Sequence, residues 1–308
     1  MVDLEPRRDS VEYVEQPCKS ALNRVKGMGF QWTLNPYTGC EHRCTFCYVR
    51  AYEKRADREY GSGYGRRIRV KVNLEQVLRA ELGRPSWKRE QVVIGAATDP
   101  YQPAEGQYKL TRGALIALSD AASPAGVITR GPMVVRDIDV LTTFARRAEL
   151  SITFSLPTLD YEVWRRTEPG TAPPQQRLRA LQRLVAAGIR CGVSMAPILP
   201  GLSDRPEQIE AVVRAASEAG ATHLWAGLLY LKEGTREHFM ESLARHWPEM
   251  IPRYQREYAG RAYLPNSRNK PLKELVSNFK GAYQLGRRPQ PLIRPVAQPL
   301  PLQLSLFG

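Results

Sequence analysis

The sequence has 308 residues, with 45 Lys and Arg against 31 Asp and Glu, for a formal net charge of +14. This length suits one large domain with appendages, and 43% hydrophobic residues are enough for a buried core. The charge favours a polyanionic partner, although excess arginine can also reflect genome composition. We find no signal peptide and no apolar run of membrane length, and three of the five cysteines are clustered. We therefore expect a protein of the reducing cytoplasm without disulfides, and exclude the secreted and membrane classes.

The first part of the chain leads to a cysteine-rich loop. Residues 1–28 are polar, contain Pro6 and Pro17 and lack periodicity, so they predict an extended N-terminal arm in which Cys18 has no assigned role. Residues 29–35 predict a short strand, and residues 47–58 predict a helix. The loop between them therefore lies at the carboxyl end of a strand.

That loop, NPYTGCEHRCTFCY, places Cys40, Cys44 and Cys47 in the spacing C-x3-C-x2-C. Three thiolates on one side of a short loop can bind iron or zinc. Electron-transfer iron–sulfur clusters usually have four cysteine ligands, so three leave one iron open to an outside ligand, which favours catalysis. The alternative is a zinc knuckle that adds His42, although His42 lies inside the first gap, where its reach is poor.

The rest of the chain alternates between strand and helix patterns. Residues 61–67 are glycine-rich without a preceding apolar strand, which predicts a mobile loop rather than a dinucleotide-binding turn. Apolar runs predict further strands at 92–97, 126–130, 150–156, 189–196 and 223–231, with helices near 111–122, 136–148, 175–187 and 205–219. Six strand–helix units imply an α/β fold with a parallel sheet, here a barrel or partial barrel, and a site at the carboxyl ends of its strands.

The cysteine spacing, with Phe46 directly before the last cysteine, resembles the signature of the radical S-adenosylmethionine (SAM) enzymes. The resemblance implies a six-stranded partial (β/α)6 barrel over residues 29–245. It implies a [4Fe-4S] cluster held by Cys40, Cys44 and Cys47, with SAM chelating the open iron and yielding a 5′-deoxyadenosyl radical. It also implies an electron donor such as flavodoxin or ferredoxin.

The same resemblance assigns cofactor contacts to the strand ends. It implies that Thr98 and Asp99 contact the SAM amino group and that Ser155 contacts the ribose. The turn after the fifth strand suits adenine packing, and Phe46 belongs to the same cofactor-binding set. The predicted contacts are Phe46, Thr98, Asp99, Ser155, Ser194 and Pro197.

Other polar and aromatic residues near the strand ends have two interpretations each. Arg130 or Arg136 can hold the SAM carboxylate or a substrate phosphate, but Arg136 with Asp137 also suits a charge pair at a helix start. Glu168 and Arg177 predict a structural ion pair. Tyr101 and Gln102 fit a functional loop or a proline-locked turn equally well. Met195 and Cys191 fit core positions, and Tyr230 fits either a radical relay or a buried aromatic residue.

Four segments resemble one radical SAM subgroup, the bacterial proteins related to spore photoproduct lyase and often labelled DNA repair photolyase. The segments are NPYTGCEHRCTFCY, TDPYQPAE, EPGTAPPQQRL and APILPGLSD. Spore photoproduct lyase uses a further cysteine just beyond its second barrel strand to return hydrogen to thymine. The corresponding stretch here, residues 95–99, has none, which argues against that exact route.

The C-terminal region predicts contacts with nucleic acid. Residues 246–286 interleave basic and aromatic side chains, which suits either single-stranded or distorted nucleic acid or a helical pair packed on the barrel. Residues 287–308 form a proline-rich tether. Its end resembles the peptide that docks bacterial repair proteins on the replicative sliding clamp, through Gln303, Leu304, Leu306 and Phe307. The alternative is an apolar tail that folds back onto the barrel.

Three functions follow as hypotheses. The first is a radical SAM enzyme that repairs or processes damaged DNA bases and is recruited through the clamp. The second is radical SAM modification of tRNA or protein, for which a clamp peptide has no purpose. The third is a non-enzymatic, metal-stabilised adaptor that binds nucleic acid.

Overall fold

Residues 11–287 and 292–296 are described by this computed structural model, and their strands fall into two sheets. The strands are β1 (Glu12–Gln16), β2 (Leu22–Arg24), β3 (Trp32–Leu34), β4 (Tyr37–Thr38), β5 (Arg67–Lys71), β6 (Val92–Ile94), β7 (Ala125–Thr129), β8 (Leu150–Ser155), β9 (Cys191–Ile198) and β10 (His223–Leu228).

Helices follow most strands of the larger sheet. They are α1 (Val49–Arg55), α2 (Leu74–Leu82), α3 (Ala104–Tyr108), α4 (Leu110–Asp120), α5 (Ile138–Arg147), α6 (Tyr161–Thr167), α7 (Pro174–Ala186), α8 (Pro206–Glu218), α9 (Thr235–His246), α10 (Ile251–Glu257) and α11 (Asn266–Ala282). Short 3-10 helices span Pro132–Asp137 and Pro248–Met250. None of these helices is both long enough and apolar enough to cross a bilayer.

The larger sheet has the order β10-β9-β8-β7-β6-β3-β2. Its six strands from β3 to β10 pair in parallel, and β2 adds an antiparallel edge to β3. The predicted α/β fold with six strand–helix units is therefore confirmed. Parallel strands of this kind leave their carboxyl ends on one side, which positions the site.

Apolar side chains of the strands and the helices form the main core. Val127, Ile152 and Val193 of neighbouring strands are completely buried. On α5, Leu141 and Phe144 lie three residues apart on one helix face and are completely buried as well. The apolar residues whose periodicity predicts these strands and helices are thus the residues that form the core.

The smaller sheet, in the order β1-β5-β4, differs from the sequence prediction. Residues 61–67 were predicted as a mobile loop, but Arg67 begins strand β5, which pairs with β1 of the N-terminal arm and with β4. Tyr64 in this segment is buried. The prediction missed β5 because RIRVK is mostly charged and its two apolar residues, Ile68 and Val70, alternate over a very short run. The cysteine loop consequently follows β4 rather than β3 directly.

The C-terminal extension contains α10 and α11, and its aromatic residues divide between two environments. Tyr254 and Tyr258 are buried against Phe239 and Leu229, so these two cannot stack on nucleic acid. Tyr263, by contrast, is 68% exposed. The predicted clamp-binding residues Gln303, Leu304, Leu306 and Phe307 lie outside the described residues, and clamp binding stays a prediction.

Candidate cofactor-binding site

A cavity of about 470 Å³ opens at the carboxyl ends of the parallel strands. Its volume lies in the range of small-molecule sites. All three predicted cluster cysteines and all six predicted cofactor contacts line it, namely Cys40, Cys44, Cys47, Phe46, Thr98, Asp99, Ser155, Ser194 and Pro197. The tertiary structure therefore brings together residues that are as far apart as 157 positions in the sequence.

The cysteine loop is a compact series of turns. Arg43 N donates to Cys40 O at 3.3 Å and Cys47 N donates to Cys44 O at 3.2 Å. Cys40 and Cys44 are buried, Cys47 is half-buried, and all three are free. Burial raises the pKa of the Cys44 thiol to about 12 and the pKa of the Cys40 thiol well above its ordinary value. Iron must therefore displace protons from these thiols as it binds.

No three His, Cys, Asp or Glu side chains in the described part of the chain could hold a metal ion as a compact group. His42, the fourth ligand of the alternative zinc knuckle, instead places Nδ1 at 3.2 Å from Asp99 Oδ2. The larger iron–sulfur cluster spaces its ligands more widely than a single ion does. The pairing of His42 with Asp99 thus argues against the zinc knuckle.

Two glycines allow other segments to press against the cysteine loop. A Cβ added to Gly65, whose φ is +81°, would lie 2.3 Å from the Cys40 carbonyl oxygen. A Cβ added to Gly170 would lie 2.3 Å from the Glu41 carbonyl oxygen and 2.8 Å from His42 Cα. Both distances are too short for any side chain, so glycine is required at both positions for the loop to keep its shape.

Thr98 and Gln102, which follow β6, hold the start of the loop. Thr98 Oγ1 donates to Gly39 O at 2.6 Å and accepts from Gln102 Nε2 at 2.9 Å. Gln102 Oε1 accepts from Glu41 N at 3.0 Å. Gln102 is completely buried, so the amide is a brace for the cysteine loop. From the sequence, Gln102 fitted a functional loop or a proline-locked turn equally well.

Asp99 is the centre of a buried hydrogen-bond network. Its carboxylate accepts from Thr129 Oγ1 at 2.6 Å, from Arg130 N at 2.6 Å and from Tyr101 N at 2.8 Å. Burial alone would raise the pKa of Asp99, but His42 and these donors lower it to about 2. Asp99 therefore joins three strand-end segments as a carboxylate, and its predicted contact with the SAM amino group stays a prediction.

Arg130 reaches into the cavity from the end of β7. Its Nε donates to Glu168 Oε1 at 2.6 Å, and its guanidinium lies 5.7 Å from the centre of the Phe46 ring. Glu168 also pairs with Arg177 at 3.2 Å, and both side chains of that second pair are completely buried. The predicted structural ion pair is therefore present, and it fixes the carboxylate that orients Arg130.

Arg136 lies in a separate ion-pair network outside the cavity lining. It contacts Asp137 and Glu105 at 2.8 Å each. The structure thus places the charge pair that the sequence offered as one alternative for Arg136. Arg130, unlike Arg136, lines the cavity and can reach a bound cofactor. Met195 and Cys191 are core residues, and neither lines the cavity.

The mouth of the cavity is aromatic. The sequence pointed to Tyr230 at a strand end and to Tyr263 among the C-terminal aromatic residues, and it gave no indication of the other rings. The rings of Tyr230 and Tyr263 are tilted by 37° with centres 4.4 Å apart, and Tyr48 and Tyr52 meet edge to face at 5.8 Å. Trp225 within β10 is 61% exposed. These rings come from three separate segments, so no local pattern could have grouped them.

Comparison with known proteins agrees with this architecture. A family profile described as the Radical SAM superfamily matches residues 34–216. An uncharacterised protein of Mycobacterium tuberculosis strain H37Rv is 38% identical over 307 residues, which cover 98% of this chain and 90% of that protein. An uncharacterised protein of Methanocaldococcus jannaschii is 24% identical over 258 residues, covering 82% and 91%.

The fold is similar to that of solved spore photoproduct lyase structures. One of them, a variant with bound AdoMet and dinucleoside spore photoproduct, gives a TM-score of 0.71 at 15% identity. The match covers 89% of this chain and 80% of the lyase chain. At this identity the similarity establishes the fold.

The superfamily match indicates a [4Fe-4S] cluster and S-adenosylmethionine as cofactors. The residues of the cysteine loop and of the cavity fit these two cofactors. Three free cysteines share one loop beside a cavity large enough for a nucleoside, and Arg130 supplies a guanidinium for a carboxylate. The cysteines would hold the cluster, and the strand ends would hold SAM.

Proposed function

We propose that this chain, which belongs to the radical SAM superfamily, is an enzyme that repairs or processes a base of damaged DNA. When bound, the cluster and SAM supply a 5′-deoxyadenosyl radical that can remove hydrogen from a carbon. The part of this chain is to hold the two cofactors, to place a base beside them and to exclude water.

The aromatic mouth carries the proposal. Of the eight large hydrophobic side chains that are strongly exposed in the described residues, five line this one cavity: Met28, Tyr48, Tyr52, Trp225 and Tyr263. Clustered exposed rings mark a binding site rather than a random surface. A flat, unstacked base is a suitable partner, because stacking on an aromatic side chain contributes about 1–3 kcal/mol per base.

Two further observations support a nucleic-acid substrate. The net charge of +14 favours a polyanion. The fold neighbour, a spore photoproduct lyase, was solved with bound dinucleoside spore photoproduct, which supports a nucleic-acid substrate for a barrel of this fold. We expect this chain to return hydrogen by a route other than a further cysteine, since among the described residues the cysteines that line the cavity are Cys40, Cys44 and Cys47.

The test of activity uses anaerobically reconstituted enzyme with dithionite and SAM, and measures 5′-deoxyadenosine. We expect ultraviolet-damaged DNA to stimulate its formation above the level with undamaged DNA or tRNA, and Cys44→Ala to abolish it. Stimulation by tRNA alone would support the RNA-modifying alternative instead, and product formation that is independent of Cys44 would refute radical chemistry.

The test of the aromatic mouth uses binding of a fluorescent single-stranded oligonucleotide, followed by anisotropy. Trp225→Ala and Tyr263→Ala should each weaken binding about tenfold, which corresponds to the loss of one stacked base. Tyr161→Ala is the matched control, because Tyr161 is 58% exposed but does not line the cavity. Equal effects of all three substitutions would contradict a specific role of the mouth.

A further inference from the structure

Arg50, three residues after Cys47 of the cysteine loop, is a buried cation in an unusual environment. It lies in the first turn of α1 and is 1% exposed. Its guanidinium donates to main-chain carbonyls at Tyr60 (2.5 Å), Gly61 (2.6 Å), Arg43 (3.4 Å) and Cys44 (3.4 Å). Every one of these acceptors is a neutral carbonyl group.

Arg50 forms no ion pair with a carboxylate in the described ranges, 11–287 and 292–296. Arg177 is also completely buried, but unlike Arg50 it pairs with a carboxylate, that of Glu168, at 3.2 Å. The nearby carboxylate of Glu53 is taken by Arg58, with contacts of 2.6 Å and 2.9 Å. A buried charge without a counter-charge is strongly unfavourable, so a protein retains one where an anion is expected to bind.

Tyr64 and the Cys44 carbonyl connect Arg50 to the predicted cluster ligands. The Tyr64 ring lies 4.5 Å from the guanidinium carbon, and the Tyr64 hydroxyl lies 3.9 Å from Cys47 Sγ. Arg50 also contacts the Cys44 carbonyl directly. The cation is therefore held against the back of the cysteine loop, on the side of the helix that follows it.

We propose that Arg50 is the counter-charge of the iron–sulfur cluster and favours its reduced form. A [4Fe-4S] cluster with three thiolates carries one net negative charge, and accepting one electron from a donor raises this to two. A fixed cation stabilises the doubly charged form more than the singly charged form, because the attraction grows with the charge. Arg50 thereby raises the reduction potential of the cluster. The inference rests on superfamily membership and is independent of the nucleic-acid proposal.

The test compares two substitutions in the full-length reconstituted protein without SAM or substrate. Arg50→Gln removes the charge but keeps an amide donor, whereas Arg50→Lys keeps the charge with fewer donors. The midpoint potential is measured by anaerobic redox titration, with the reduced cluster followed by electron paramagnetic resonance. Arg55→Gln, on the exposed side of the same helix, controls for the loss of one positive charge from the surface.

We expect Arg50→Gln to decrease the ratio of reduced to oxidised cluster at least tenfold at a fixed potential, which is about 59 mV for a one-electron couple. Arg50→Lys should lower the midpoint potential by less than half as much as Arg50→Gln does. Arg55→Gln should have the midpoint potential of the wild type. Equal shifts in Arg50→Gln and Arg50→Lys would overturn the proposal, because they would show that the carbonyl contacts matter and the charge does not. An unchanged potential in Arg50→Gln would overturn it as well.

If one variant fails to assemble a cluster, its iron content and its unfolding in urea distinguish the two roles of Arg50. If Arg50→Gln binds no iron but Arg50→Lys does, the counter-charge role is supported, because charge alone restores the cluster. If neither binds iron and both unfold in less urea than the wild type in the metal-free state, Arg50 is a structural brace and the proposal fails.

Discussion

Glu168→Gln removes the one carboxylate that two arginines share beneath the cofactor cavity. Glu168 accepts from Arg130 at 2.6 Å and from Arg177 at 3.2 Å, and its side chain is completely buried. Glutamine has nearly the same shape, so the substitution changes charge without leaving a cavity. The buried guanidinium of Arg177 would then have no counter-charge.

The expected loss follows from the burial of this pair. Breaking a buried ion pair by neutralising one partner costs roughly 3–5 kcal/mol. Arg177 keeps three other acceptors, the carbonyls of Ala172 and Ser155 and the hydroxyl of Thr171, which reduce the penalty. We therefore expect the free energy of unfolding to fall by about 3 kcal/mol, at the lower end of that range.

Urea unfolding of the metal-free protein at neutral pH measures this change. Glu75→Gln is the control, because Glu75 pairs with Arg79 at 2.9 Å on the exposed face of α2, where such a pair contributes about 0.5 kcal/mol or less. A loss below about 1 kcal/mol in Glu168→Gln, or a loss equal to that in Glu75→Gln, would refute the reasoning that burial makes the pair essential.

Three further substitutions test other parts of the site. Gly170→Ala places a methyl group 2.3 Å from the Glu41 carbonyl oxygen, so the reconstituted variant should bind less than half of the wild-type iron, measured by colorimetric assay. Asp99→Asn should reduce the fall in the free energy of unfolding that the wild type shows at low pH. Since the native pKa of Asp99 is lowered from 3.8 to about 2, its contribution of about 2 kcal/mol is complete above pH 4 and is lost as the pH falls through 2, which urea unfolding at several pH values measures. Arg130→Lys should weaken SAM binding about tenfold by equilibrium dialysis, because lysine cannot form a bidentate contact with a carboxylate.

Two of these predictions have a matched control variant, and the third has a defined contradicting result. Gly106→Ala adds a methyl group at an ordinary 3.5 Å contact with Met133, so a similar loss of iron there would contradict steric exclusion at Gly170. Arg136→Lys alters an arginine outside the cavity lining and should leave SAM affinity unchanged. A stability profile of Asp99→Asn that parallels the wild type at low pH would show that Asp99 is not the titrating group.

The sequence by itself determined the features that depend on short stretches of chain. The spacing of Cys40, Cys44 and Cys47 is a local pattern, and so are the apolar runs that became β6 to β10. Because parallel strands share the position of their carboxyl ends, the alternation of strands and helices predicted a site at those ends. The resemblance to radical SAM enzymes then assigned Thr98, Asp99, Ser155 and Ser194 to it, and all four line the cavity.

Only the tertiary structure decided which groups face each other across long sequence separations. Glu168 is bonded to Arg130, Gly170 touches the loop 128 residues earlier, and Trp225 and Tyr263 meet at one cavity mouth. The sequence also gave no sign that Arg50 is buried, since a lone arginine on a short helix is usually exposed. Burial and charge pairing arise from packing among distant segments, and the periodicity of any one segment carries no information about its partners.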